Sequence, residues 1–139
     1  MGGKWTTYRV MASDTLDVLE REVFHQVPKP CLTANYQLSG GDESMRPAFQ
    51  QLVDQWKVAK DIQTHLWETY GSNAVNLLAE APKRIHPDLP YLESEIDYLK
   101  THEMASSWDD VLMRRWGIGL RNQEVSESIK GIKKEAFAS

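Results

Sequence analysis

The feature that most limits what this chain can become is the period of its apolar residues: wherever a segment is long enough to be regular, the period is that of a helix. From Trp5 to about Phe24, Tyr8, Met11, Thr15, Leu16, Leu19 and Val23 recur at helical spacing, with Thr6 or Thr7 placed to cap. Met45 to about Trp56 carries Pro47 in its first turn, where proline is tolerated. Val58 to Tyr70 puts Ile62, Leu66 and Tyr70 on one face and stops at Gly71. The next segment turns Val75, Leu78 and Ala79 inward until Pro82 ends it, and Ile85 to Tyr91 is extended and proline-punctuated. Leu92, Glu95, Ile96 and Leu99 resume the helical interval, and Ser107 with Asp109 and Asp110 opens another helix, acidic residues favouring its positive end. That helix breaks at Gly117 or Gly119, and a last one, about Gln123 to Phe137, carries Val125, Ile129, Ile132 and Ala136 on one side. No segment alternates as a strand does. The expected fold is all-α, a small irregular helical bundle.

One stretch interrupts the pattern. His25 to Ser44 holds Pro28, Pro30, Gly40 and Gly41 and reads as a long irregular connection, the natural boundary between two units. The expected division is a first helix in residues 1–25, a linker in 26–43 and a helical domain in 44–139. A net charge of −4 gives no electrostatic reason for a nucleic-acid partner. Cys31 is the only cysteine, which excludes an internal disulfide and fits a reducing, cytoplasmic setting. No apolar run reaches the ~20 residues that span a bilayer.

Candidate chemistry is sparse. Gly117-Ile118-Gly119 lacks the third glycine and preceding strand of a dinucleotide fingerprint and reads as a helix end. Asp61 with His65, and Glu95 with Tyr98 and His102, lie on neighbouring helical turns. Neither set completes a metal site, and a surface ion pair or hydrogen bond accounts for both. No catalytic residue and no metal ligand is assigned. Asp110 and Arg114 form an i, i+4 pair, and Arg114 with Arg115 could instead hold an anion. The opening is the most informative stretch. Gly2-Gly3, then Lys4, then Thr6-Thr7 at a helix start leaves an unobstructed backbone with free N–H groups beside a cation. Such an end suits an anionic group or a cofactor carbonyl, and paired glycines at a chain start are equally what an unstructured scar contributes.

Two stretches carry a resemblance. GGKWTTYRVMA, residues 2–12, resembles the turn and helix that close the catalytic half of FAD-dependent glycerol-3-phosphate dehydrogenases. LPYLESEIDYLKTHEMASSWDDVLMRRWGIGL, residues 89–120, is similar to the signature of the helical C-terminal domain in that family, which includes the alpha-glycerophosphate oxidases. The matching features are Pro90-Tyr91, Glu93 or Glu95 with Ile96 and Tyr98, Glu103-Met104-Ala105, Asp110-Val111-Leu112 and Arg114-Arg115. Tyr70-Gly71 matches a helix end of the family, and the connection from Pro30-Cys31 to Gly41 resembles the link between its halves.

The resemblance implies an enzyme that oxidises glycerol 3-phosphate to dihydroxyacetone phosphate. A hydride passes to FAD, and electrons go on to a membrane quinone or to oxygen. It gives Gly2, Gly3, Lys4, Trp5 and Thr6 a flavin-proximal, cofactor-binding role, and makes Arg114 and Arg115 braces between helices. It also implies that the first helix and linker belong with an upstream FAD-binding domain, the expected partner. The helical domain would then be a cap or assembly element of a cytoplasmic protein, its parent peripheral on the membrane. Alone, the chain is expected neither to retain FAD nor to turn over substrate, and self-association is expected of an uncovered first helix. Two departures stand out: the glycine-rich FAD fingerprint is absent, and Trp116 follows the paired arginines where the family usually has a small residue. The alternative is a free-standing helical interaction module, whose first helix would pack as an ordinary core helix.

Overall fold

The computed structural model describes residues 4–132 and 134–137, with only the backbone for 134 and 135. The chain divides into two compact units, Met1–Gln37 and Leu38–Ser139, so residues 38–43, read from the sequence as linker, fall in the second.

In the first unit a 3₁₀ turn, Trp5–Thr7, leads into α1, Tyr8–Glu22. Thr7 occupies the cap position without capping: its hydroxyl turns back to donate to the Lys4 carbonyl at 3.2 Å. The irregular stretch returns along the helix through polar contacts. Glu20 accepts from the Lys29 N–H at 2.9 Å, and Arg9 donates to the Thr33 hydroxyl at 3.1 Å. No residue of α1 is buried; Tyr8, Met11, Leu16, Leu19 and Val23 are all exposed. The helical period shapes this element, but no described residue of the unit buries its apolar side.

The second unit holds α2 (Arg46–Trp56), α3 (Lys60–Tyr70), α4 (Ala74–Leu77), α5 (Glu93–His102), a π-helical turn (Asp110–Arg115), α6 (Ile118–Arg121) and α7 (Gln123–Ile132). No strand occurs among the described residues, and the isolated Arg84–Leu92 bridge closes the 85–91 loop. The all-α expectation holds. Leu66, Leu78, Leu92, Ile96, Leu99, Val111, Leu112 and Ile129 are fully buried and form the centre of one core. The faces expected of α3 and α5 are the buried ones: Ile62, Leu66 and Tyr70, then Glu95, Ile96 and Leu99.

Three details depart from the periodic reading. The helix expected to reach Pro82 stops at Leu77, leaving Ala79 exposed, because side chains take its last carbonyls. Ser94 donates to the Leu77 oxygen and Trp56 Nε1 to that of Leu78, each at 3.0 Å. Proline at position 82 has no N–H to offer Leu78. The helix after Ser107 becomes a π turn, with the Trp116 N–H reaching back five residues to the Val111 carbonyl at 2.8 Å. Finally, Ile132 at the end of α7 is exposed rather than in the inner stripe.

Two polar devices position these helices. Ser107 and Asp110 form a reciprocal cap: Asp110 Oδ2 accepts the Ser107 N–H at 3.0 Å, and the Ser107 hydroxyl accepts the Asp110 N–H at 3.2 Å. The N–H of Ser106 and then the Ser107 hydroxyl hold the Asp110 carboxyl well below the usual carboxylate range. At the other end of the domain, Gly40 and Gly71 touch backbone to backbone, and the Ser72 N–H donates to the Gly40 carbonyl at 2.9 Å. Both glycines have positive φ, 85° and 54°. A Cβ on Gly71 would overlap the Gly40 carbonyl, so only glycine fits.

Gly71→Ala is therefore expected to lower stability by about 2 kcal/mol or more, read from the urea midpoint. The Asp110 value is lower folded than unfolded, so its contribution is present above the ordinary carboxylate range and lost as pH falls. Between pH ~5 and ~3 the native chain should lose more thermal stability than Asp110→Asn.

Candidate functional site

The best-formed polar constellation of the bundle is built on Glu95. Its position follows from α5: Leu92 is the N-cap residue, and Glu95 in the first turn reaches back so that Oε1 accepts the Leu92 N–H at 2.6 Å. The same geometry sinks the carboxylate into the core, where its residue is 0% exposed. Oε2 then accepts from the Tyr70 hydroxyl and from His65 Nε2, both at 2.8 Å and both from α3. His65 Nδ1 lies 3.3 Å from the Thr69 hydroxyl, so both ring nitrogens have polar neighbours. Burial, and then the neighbouring Glu95 charge, pushes the Tyr70 hydroxyl far above the ordinary tyrosine range.

Aromatic rings enclose this carboxylate. Tyr91 meets His65 edge-on at 4.6 Å and stacks on Trp116 at 4.4 Å; Tyr98 meets Tyr70 edge-on at 5.3 Å. The Tyr91 hydroxyl donates to the Trp116 carbonyl at 3.2 Å, and Arg121 donates to that carbonyl at 2.7 Å. Trp116 is thus a core residue here, its indole buried beside Tyr91. A cavity of about 390 Å³ lined by Thr69, Tyr70, Asn73, Tyr98, His102 and Glu103 lies on one side of Tyr70. All the acceptor capacity of Glu95 that these contacts use points to protein donors. The arrangement binds α3 to α5, with the His65 side chain partly exposed.

The other candidates separate. Asp61 forms a two-pronged pair with Arg84, at 2.7 and 2.9 Å, rather than sharing a ligand with His65. Tyr98 and His102 stack on each other at 4.4 Å, and neither donates to Glu95 among the hydrogen bonds of the described residues. Among the described residues no group of three or more histidines, cysteines and carboxylates could hold a metal ion. Arg114 pairs with Asp110 at 2.5 Å. Arg115 is the brace: it donates to the Glu103 carboxylate at 3.0 Å, the Asp110 carbonyl at 3.1 Å and the Glu103 carbonyl, tying the π turn to the end of α5. In the first unit, Lys4, Trp5 and Thr6 are exposed at the turn that opens α1, and Trp5 leans on Tyr8 at 6.3 Å. Gly2 and Gly3 lie outside the described residues.

A family model described as the C-terminal domain of alpha-glycerophosphate oxidase matches residues 31–135. The chain belongs to that family. Among its relatives, a probable mitochondrial glycerol-3-phosphate dehydrogenase of Dictyostelium discoideum is 34% identical over 134 residues, 91% of this chain and 21% of that protein. A probable glycerol-3-phosphate dehydrogenase of Encephalitozoon cuniculi is 31% identical over 96% of this chain and 22% of its own length. The mitochondrial glycerol-3-phosphate dehydrogenase of Mesocricetus auratus is 31% identical over 91% of this chain and 18% of its own. The chain therefore spans about a fifth of the length of the relatives it matches. No solved structure matches it significantly.

Of the stretches that carried the resemblance, residues 89–120 supply part of the Glu95 cluster and its surroundings. Tyr91, Glu95, Ile96, Val111 and Leu112 are buried, and Glu103 with Arg115 clamps the π turn. Sequence reasoning put Tyr70 on the inner face of its helix and Glu95 at the helical interval, but it accounted for Glu95 by a surface ion pair or hydrogen bond; the residue is fully buried, and its bond to Tyr70 was missed. A signal existed: a carboxylate inside an apolar stripe requires donors from the facing helix.

Glu95→Ala, which strands three donors, should cost about 3 kcal/mol or more, against about 1–3 for Tyr70→Phe, both read by urea unfolding. The Tyr70 value is higher folded than unfolded, so its contribution is complete below the ordinary tyrosine value and lost as pH rises above it. Stability above pH ~10 should accordingly fall less steeply in Tyr70→Phe than in the native chain.

Proposed function

We propose that this chain is the helical C-terminal part of an FAD-dependent glycerol-3-phosphate dehydrogenase that oxidises glycerol 3-phosphate to dihydroxyacetone phosphate. The observation that carries the proposal is the match over residues 31–135 to this family's C-terminal domain, joined to relatives named as glycerol-3-phosphate dehydrogenases. In this reading residues 1–25 close the FAD-binding domain, the stretch from 26 links, and the helical unit from Leu38 onward caps or assembles the enzyme. Gly2, Gly3, Lys4, Trp5 and Thr6 contact the flavin. Lys4 brings a cation to a helix start whose free N–H groups favour the negative charge that reduction puts on a flavin. FAD supplies the hydride acceptor when bound; the helical domain contributes shape and stability. Within its own unit α1 buries no residue, which supports a helix whose apolar side is covered by another part of the protein.

Electrons would pass from FAD to quinone, with the domain on the aqueous face of the membrane, cytoplasmic where that is the cell membrane. The Dictyostelium and hamster relatives carry "mitochondrial" in their names. Among the described residues no helix is long and apolar enough to cross a membrane.

The test is a glycerol-3-phosphate:dye reductase assay with added FAD, on this chain and on a version extended by an upstream flavin-binding domain. Activity and bound flavin in the extended version alone are expected. Stoichiometric FAD on the 139-residue chain, or an inert extended protein, would overturn the reading.

A further inference from the structure

We draw no further inference here: the strongest candidate, the exposed apolar face of α1 in the N-terminal unit, is the surface that the proposed function already gives to the upstream flavin-binding domain, and nothing in the structure shows what else would cover it.

Discussion

A carboxylate in the middle of a hydrophobic core is the constraint around which this bundle is arranged. Taking an ionised carboxyl out of water costs several kcal/mol, and only donors in good geometry offset that. Glu95 meets the requirement from two directions. The Leu92 N–H comes from its own helix, and Tyr70 and His65 come from α3. One side chain thereby satisfies a free backbone N–H at a helix start and fixes how α3 lies against α5. The hydrophobic residues around it supply most of the favourable free energy, but they are non-directional. The three donors supply direction.

The rest of the domain extends from that join by similar means. The loop before α5 brings Tyr91 in edge-on to His65, and Tyr91 in turn stacks on Trp116 at the end of the π turn. Arg121 and the Tyr91 hydroxyl share the Trp116 carbonyl, while Arg115 fastens the same turn to Glu103 at the end of α5. A large indole thus fills the position where a small residue was expected, and the neighbouring Tyr91 ring and Arg121 accommodate it. Together these contacts hold the π turn against the end of α5 and the loop that precedes that helix.

Much of this was legible in the sequence, because period and punctuation are local properties. Gly71 and Gly117 end helices, Asp110 opens one, and the inner faces of α3 and α5 are those the spacing indicates. What the sequence hid was long-range. The partners of Glu95 lie 25 and 30 residues away, and nothing in a helical interval says which inward polar groups will meet. The early stop of α4 depends on Ser94 and Trp56 from other helices, and the Gly40–Gly71 contact unites a stretch read as linker with a helix end. Periodicity also misleads about burial: α1 has an apolar face as regular as any other, yet none of its residues is buried.

Native-state hydrogen exchange of the Leu92 amide tests the central claim most directly, since that N–H donates to the buried carboxylate and not to a helical carbonyl. If Glu95 is the join between α3 and α5, the Leu92 amide should exchange only with global unfolding, with a protection free energy equal to that of the Leu66 and Leu99 amides. Rapid exchange of Leu92, at the rate of a frayed helix end while Leu66 and Leu99 stay protected, would contradict the account.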